Sequence, residues 1–137
     1  MSRRRARNRA EPACPCGTPR PYPGCCGRFH AGEQTPATPE ELMRSRYSAF
    51  VVRDAGYLRR TWDESTCPAV IDLSDDVDWL GLDIVDAPAP GPFHNTATVA
   101  FVARYRRAGA RSAMAETSLF RRTAGGWRYV RPVVTTD

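Results

Sequence analysis

Four of the five cysteines in this 137-residue chain lie within thirteen residues, in the sequence CPCGTPRPYPGCC. They form two close pairs, Cys14 with Cys16 and Cys25 with Cys26, at the two ends of an eight-residue loop. The two glycines and three prolines of that loop favour tight turns and restrict the unfolded ensemble. Structural zinc takes four ligands in a tetrahedron, which two such pairs can supply. The spacing therefore predicts a metal site that is structural, because four thiolates leave no coordination position for water or substrate.

Other uses of these thiols stay open. Cytosolic proteins rarely keep disulfides, and neither Cys-x-Cys nor Cys-Cys closes comfortably on itself, although cross pairs between the two ends are possible. A thioredoxin-like redox pair needs Cys-x-x-Cys near a βαβ unit, and the sequence has neither. Clustered thiolates can also oxidise and release metal, so a redox or metal sensor is a further alternative. We expect the fifth cysteine, Cys67, to have no functional role.

Polar residues outside this segment could serve a catalytic or binding cavity. Glu116 interrupts a predicted strand and His94 stands near the start of another, and an acid and a histidine in one dry pocket can transfer protons. Further candidates for lining such a cavity are Arg44, Arg46, Tyr47, Trp62 and Trp79. We expect instead that Glu116 pairs with a cross-strand arginine, Arg104 or Arg106, that His94 is exposed and that the aromatic residues belong to the core. No Ser-His-Asp, paired-carboxylate or phosphate-loop signature is present, so the sequence favours a role other than catalysis.

Local signals predict the helices that hold these residues. Thr38 can cap a helix, Pro39 suits its first position, and Glu41 completes a capping box. Apolar residues then recur at helical spacing and give one apolar stripe, at Met43, Tyr47, Phe50 and Val51. After a break near Arg53 and Asp54, we predict a second, short helix over roughly residues 54–62.

The pattern changes to strands after residue 68. Residues 77–86 suit one strand, and a long strand follows in which alternate residues are apolar, namely Ala97, Val99, Phe101, Ala103 and Tyr105. The sequence RAGAR at 107–111 predicts a hairpin turn. Strands over about 112–122 and 127–134 complete an antiparallel meander. Helices followed by such a sheet predict the α+β class.

Charge divides the chain into an arm and a body. Residues 1–10 contain five arginines and no acid, which accounts for the whole net charge of +5, because the remaining fifteen arginines are balanced by fifteen acids. We predict a disordered basic arm over residues 1–13, a metal-binding segment over 14–37 and an α+β domain over 38–137. Aspartates crowd residues 72–86 and arginines crowd residues 104–131. These charges are expected to pair within the monomer, and an arginine-lined sheet that meets an acidic partner is the alternative.

The expected location is cytoplasmic. The chain has no apolar run near the roughly 20 residues that cross a bilayer, and its basic start has no apolar stretch behind it, so we expect neither a secretion signal nor membrane association.

Several motifs together resemble a known family. CPCGTPRPYPGCC resembles the SEC-C zinc motif, known from the C-terminal tail of the SecA translocation ATPase. With HAGE, LMRSRYSAFVVRDAGYLRRTW, WLGLDI, VAFVARY, SLFRR and GWRYV further along, the chain closely resembles the YchJ family of bacterial proteins (the UPF0225 group). The resemblance implies zinc ligation by Cys14, Cys16, Cys25 and Cys26.

Two details of that ligand set remain open. Thr18-Pro19 replaces the usual Ser-Gly, so the turn can differ while the ligands are retained. His30 is the substitute ligand if adjacent Cys26 cannot reach the metal.

The resemblance also implies a fold and a range of functions. It predicts an NTF2-like cone of helices on a curved antiparallel sheet, which in related folds serves isomerases, dehydratases and binding proteins, so that fold alone says little about activity. In SecA the SEC-C motif docks a chaperone and the ribosome. We therefore expect a zinc-stabilised module that binds a protein or ribonucleoprotein partner, helped by the arginine arm. The alternative is a small-molecule binder or enzyme that uses the cone's cavity. The sequence does not indicate an oligomeric state.

Overall fold

The computed structural model describes residues 12–136, so the predicted basic arm lies outside the described residues except for its last two. The described chain forms a short 3₁₀ turn at Tyr22–Gly24, three helices and four strands. The helices are α1 (Cys26–His30), α2 (Pro39–Val52) and α3 (Ala55–Arg60), and the strands are β1 (Val77–Asp86), β2 (Thr96–Arg107), β3 (Ala110–Thr123) and β4 (Gly126–Thr136). The prediction of the α+β class is confirmed. Helix α1 is absent from the sequence-based prediction.

Helix α2 begins as its sequence predicts. The backbone N–H of Glu41 donates to Thr38 Oγ1 at 3.1 Å, and Pro39 occupies the first turn. The Glu41 carboxylate accepts from the N–H of Ala37 at 2.8 Å and not from that of Thr38, so the reciprocal half of the capping box is displaced by one residue. The helix ends at Val52, and the residue after it, Arg53, has a left-handed φ of 61°.

Helix α3 starts where it was predicted but ends earlier, at Arg60. The side chain of Asp54 accepts from the N–H of Tyr57 at 3.0 Å and caps its start. Beyond its end the backbone pairs with β4, because Tyr129 N–H donates to Thr61 O at 2.8 Å and Asp63 N–H donates to Tyr129 O at 2.7 Å. This added pairing covers part of the edge of β4 and brings Trp62 against Tyr129, with ring centroids 5.3 Å apart.

The four strands form one antiparallel sheet in the order β1-β2-β3-β4. The turn between β2 and β3 consists of Ala108 and Gly109, both with positive φ, as a tight two-residue hairpin requires. Register shifts in the pairing of β1 with β2 and of β3 with β4 bend the sheet. The meander and the bounds of β1 agree with the sequence-based prediction.

The main core lies between α2 and the concave face of the sheet. Helix α2 contributes three buried side chains, and the strands contribute the others, so that the core consists of Leu42, Met43, Tyr47, Leu82, Val99, Phe101, Ala103, Phe120 and Trp127. A second cluster joins α1, α2 and α3 through Phe29, Ala49, Tyr57 and Leu58. Both clusters therefore pack against α2. Among the helices within residues 12–136, none has the length and apolar character of a transmembrane segment.

Candidate metal centre

We refer to residues 14–30 as the cysteine segment, and the structure brings its four cysteines together. Their Sγ atoms all lie within 4.8 Å of one another, and each side chain is at most 4% exposed. The Sγ atoms of Cys16 and Cys25 are 3.6 Å apart, well beyond the roughly 2.05 Å of a disulfide. Zn–S bonds of about 2.3 Å would place tetrahedral sulfur atoms about 3.8 Å apart. The donor set and its spacing therefore suit one metal ion held by four thiolates.

Backbone turns at both ends of the segment create this convergence. The N–H of Cys14 donates to Arg20 O at 2.8 Å and that of Gly17 donates to Cys14 O at 3.2 Å, so the first pair of cysteines folds back on the loop. Gly17 has a φ of 101°, a conformation that glycine adopts readily and other residues rarely do. The second pair lies at the junction of the 3₁₀ turn and α1, where Cys26 is the first helical residue.

Electrostatics within the cluster oppose full deprotonation of the thiols. Hydrogen bonds with Cys14 and Cys16, followed by burial, raise the pKa of the Cys26 thiol. Hydrogen bonds from Cys16 and Cys26 lower the pKa of Cys14, whose thiolate the other two stabilise. Closely spaced acidic groups share one negative charge in this way when no cation is bound. A divalent cation would stabilise all four thiolates, which couples metal binding to proton release.

Two hydroxyl groups lie beside the sulfur atoms. Thr18 Oγ1 is 3.1 Å from Cys25 Sγ and 3.7 Å from Cys16 Sγ, and Ser48 Oγ on α2 is 3.6 Å from Cys14 Sγ. Hydroxyls can donate to ligating thiolates and orient them. Thr18 thus supplies the hydroxyl that serine would supply in the SEC-C pattern, and the Thr18-Pro19 departure leaves the four thiols together.

His30 has other partners than the sulfur cluster. The hydroxyl of Tyr22 donates to Nδ1 at 2.5 Å, and Nε2–H donates to Ser45 O at 2.8 Å. Because both ring nitrogens are engaged and Cys26 Sγ is already within the cluster, the geometry favours Cys26 over His30 as the fourth ligand. His30 instead links the cysteine segment to α2.

Arginine side chains make further links between the cysteine segment and the body. Arg44 Nη1 donates to Cys16 O at 2.7 Å, while its Nε forms an ion pair with Glu40 at 3.0 Å. Arg60 Nη2 donates to His30 O at 3.1 Å. The sequence analysis did not predict that Arg44 and Ser48 contact the segment. Their i, i+4 spacing, which places them on one face of α2, could have indicated these contacts.

The predicted partner of Glu116 is wrong. Glu116 lies opposite Phe101 in the register of β2 and β3, so it faces inward, whereas Arg104 and Arg106 point to the other face of the sheet. Its carboxylate accepts from Ser118 Oγ at 2.6 Å. Arg104 instead forms an ion pair with Asp83 on β1, which is one pairing of the predicted kind between the acidic and arginine-rich stretches.

The remaining predicted site residues divide between surface and cavity. His94 is exposed, as predicted, and its Nδ1 accepts from the N–H of Gly91 at 2.8 Å. Cys67 is half-buried, with its Sγ 3.7 Å from Arg59 Nη1. A cavity of about 200 Å³ lies under α2, and five of the candidates line it, namely Arg46, Tyr47, Trp62, Trp79 and Glu116. The prediction that the aromatic residues serve only as core is therefore incomplete.

Comparison with known proteins agrees with this architecture. Residues 38–132 match the family model described as YchJ, middle NTF2-like domain. A UPF0225 protein of Streptomyces coelicolor is 48% identical over 118 residues, which cover 86% of this chain and 92% of the relative. A UPF0225 protein of Ralstonia nicotianae is 49% identical over 130 residues, covering 86% of this chain and 88% of the relative.

Two solved structures are similar over most of the chain. The solution structure of a SEC-C motif containing protein from Rhodopseudomonas palustris has a TM-score of 0.79 and 32% identity, covering 91% of this chain and 99% of that one. The crystal structure of a SEC-C motif containing protein from Psychrobacter arcticus has a TM-score of 0.69 and 29% identity, covering 91% and 84%. The NTF2-like fold predicted for the body is thereby confirmed.

Proposed function

The chain belongs to the UPF0225 (YchJ) family, and we propose that it is a zinc-stabilised module that binds a ribonucleoprotein or protein partner. The convergence of four buried thiols carries this proposal. A structural metal gives a short segment a fixed shape that its few apolar residues cannot provide. The proposal assigns zinc to Cys14, Cys16, Cys25 and Cys26, with catalysis at the metal excluded by the lack of an open position.

Zinc is the metal best suited to this donor set. A mononuclear tetrahedral site of four thiolates is typical of structural zinc, and iron–sulfur sites are the main alternative for such ligands. Thr18 and Ser48 supply hydroxyls that would orient two of the thiolates. Zinc has no redox chemistry, which fits a site whose sulfur atoms are buried and tied to a helix.

The segment is attached to the body on one side and presents its loop on the other. Arg44, Ser48 and the backbone of Ser45 hold it against α2. The loop residues Pro19, Arg20, Pro21 and Pro23 are exposed. A metal-fixed, proline-rich loop is stiff, so a partner that binds it need not order it first. This loop is the part of the segment that we assign to partner binding.

Charge favours an anionic partner. Residues 1–10 contain five arginines and no acid, and Glu11, Pro12 and Ala13 separate them from the cysteine segment. Arginine-rich segments bind phosphate backbones with an affinity that falls as salt rises. The proposal therefore ranks a ribonucleoprotein above a partner that contains protein alone.

The test is the binding of the zinc-loaded chain to purified ribosomes and to a single-stranded RNA over a series of salt concentrations. In one variant Arg3, Arg4, Arg5, Arg7 and Arg9 are all replaced by Gln, and in its matched control they are replaced by Lys, which preserves charge. If all five contact phosphate, the Gln variant should flatten the slope of log K against log salt by about 3.5 units on single-stranded RNA, and the Lys control should retain it.

A separate variant tests the metal-fixed loop. Replacing Pro19 and Pro21 by Ser should weaken binding to ribosomes without flattening the salt slope, because the loop contributes shape and the arm contributes charge. Equal binding of the wild type and both variants at all salt concentrations would rule out the proposed interface. Binding only by the metal-free chain would rule out the role of zinc.

A further inference from the structure

The cavity under α2 is lined mainly by aromatic and methionine side chains and has a volume of about 200 Å³. A cavity of roughly 150 Å³ in another protein holds one benzene molecule. The space here is therefore sufficient for one substituted aromatic ring. Aromatic rings of the lining, those of Tyr47, Trp79 and Tyr129 among them, offer faces and edges against which such a ring can pack.

A buried cation forms part of the cavity wall. Arg46 is 3% exposed, and within the described residues it has no carboxylate at ion-pair distance. Its guanidinium lies over the rings of Trp62 and Tyr129, at 4.9 Å and 4.6 Å from their centroids. Burial lowers its pKa only to about 10, so it stays charged at neutral pH. A buried charge without a counter-ion is unfavourable, and an anion entering the cavity would remove that deficit.

Hydrogen bonds hold Arg46 in place and use only part of its N–H donors. Its Nη1 donates to Leu58 O at 2.9 Å and to Thr61 Oγ1 at 2.7 Å. A guanidinium carries five N–H donors in a rigid fork, and the hydrogen bonds that Arg46 makes to residues 12–136 all come from Nη1. The N–H groups of Nε and Nη2 remain for a ligand.

Trp62, which also lines the cavity, carries a second buried donor. The indole Nε1 of Trp62 is buried and makes no hydrogen bond to any residue between 12 and 136. Buried indole N–H groups usually find an acceptor, and an unsatisfied one is costly. Trp62 is held there by the pairing of its neighbours with β4. Trp62 and Arg46 thus belong to the same wall, and the guanidinium of Arg46 is the group there that can bind a carboxylate.

The sheet contributes a hydrogen-bond acceptor to the same cavity. Glu116 on β3 faces the cavity, where Ser118 Oγ holds one carboxylate oxygen at 2.6 Å. Burial and then the negative charge of Glu116 raise the pKa of Tyr129 to about 12, which keeps that phenol neutral. The other oxygen of Glu116 is available to accept from a hydroxyl or amino group. The cavity thus offers donors from the helix side and an acceptor from the sheet.

We infer that this cavity is a binding site for a single-ring aromatic carboxylic acid that bears a hydroxyl or amino group. The ligand carboxylate binds Arg46, the ring packs among the aromatic side chains, which include that of Trp62, and the hydroxyl or amino group donates to Glu116. The site is independent of the proposed zinc-dependent interface, because none of its groups belongs to the cysteine segment.

The test uses 4-hydroxybenzoate with the full, zinc-loaded chain, and benzoate and phenol as comparison probes that each lack one polar group. Binding is followed by ¹⁵N NMR of the tryptophan indole N–H groups, with the Trp62 signal assigned from the spectrum of Trp62→Phe. We expect 4-hydroxybenzoate to shift the Trp62 indole signal, because Trp62 lines the cavity. It should also bind about tenfold more tightly than either comparison probe, since each leaves one cavity group unpaired.

Variants locate the bound molecule without disturbing Arg46. Glu116→Gln should weaken 4-hydroxybenzoate about tenfold while leaving benzoate unchanged, and Glu33→Gln, an exposed carboxylate in the linker, is the matched control with unchanged binding. Ala103→Leu, which fills part of the cavity, should abolish binding of all three probes, with circular dichroism confirming that it folds. The inference fails if 4-hydroxybenzoate gives no shift of the Trp62 indole at 10 mM, or if neither variant changes its binding.

Discussion

Replacing Arg44 by methionine tests how strongly the cysteine segment is held to the body. Arg44 is the guanidinium that donates to the carbonyl of Cys16 at 2.7 Å and pairs with Glu40 at 3.0 Å, and its side chain is 24% exposed. A hydrogen bond from a charged donor contributes about 1.5–3 kcal/mol, and the exposed i, i+4 ion pair about 0.3–0.5 kcal/mol. Methionine keeps most of the aliphatic stem, so Arg44→Met should lower the free energy of unfolding by about 2 kcal/mol.

The matched control is Glu40→Gln, which removes the ion pair and keeps the bond to Cys16, and its expected loss is at most about 0.5 kcal/mol. Two assays are needed, urea unfolding by tryptophan fluorescence and the rate at which zinc passes to a chelator, because the segment could detach without global unfolding. Arg44→Met should reduce stability in the first assay or accelerate zinc loss in the second. If it equals Glu40→Gln in both, Arg44 does not hold the segment and the reasoning is refuted.

Three further changes test other parts of the account. Gly17→Ala should destabilise the protein by about 1–2 kcal/mol in thermal unfolding, because its φ of 101° is left-handed and a Cβ would lie 3.2 Å from a carbonyl oxygen of β1. Gly24→Ala, with nothing within 4 Å of its Cβ, should not. Hydrogen bonds from Ser65, and then Arg121, lower the pKa of buried Asp63, so its stabilising contribution is complete above the unfolded-state pKa and is lost as pH falls below about 4. Asp63→Asn should therefore flatten the acid limb of urea-unfolding stability measured from pH 6 to pH 3, and an unchanged limb would refute this. His30→Gln should retain one zinc per chain in metal analysis, whereas loss of the metal would make His30 a ligand.

Local features of the sequence predicted much of the fold. The start of α2 follows from the side chain of Thr38 and the ring of Pro39, which act within one turn. The hairpin between β2 and β3 follows from Ala108 and Gly109, since few sequences tolerate two positive φ angles in succession. Helix α1 was missed because it has five residues inside a turn-rich segment, too short for a periodic pattern.

The error at Glu116 shows what local pattern does not contain. Which arginine a strand residue meets depends on the register, and the register depends on the length of the turn. With a two-residue turn at Ala108 and Gly109, Glu116 falls opposite Phe101 and on the inner face. Choosing that turn length before assigning partners would have predicted its inward direction. No comparable sequence pattern predicts the unpartnered indole N–H of Trp62. The position of that side chain depends on the pairing of the chain after α3 with β4.

The four cysteines were the most predictable part of the site. Their spacing alone indicated convergence on one ion, because two pairs across a short loop have few other ways to meet. The groups that fix the cluster to α2, such as Ser48 and His30, come from the tertiary arrangement. Sequence spacing therefore predicted the donor set, and the structure supplied its environment.

The most direct measurement is the metal content of the untagged protein, purified under reducing conditions and analysed by plasma mass spectrometry. We expect about one zinc per chain in the wild type and in Cys67→Ser, a control that removes the cysteine outside the cluster, and loss of zinc in Cys25→Ser/Cys26→Ser. A wild-type protein without bound metal would contradict the account, because the four converging thiols would then require a redox explanation.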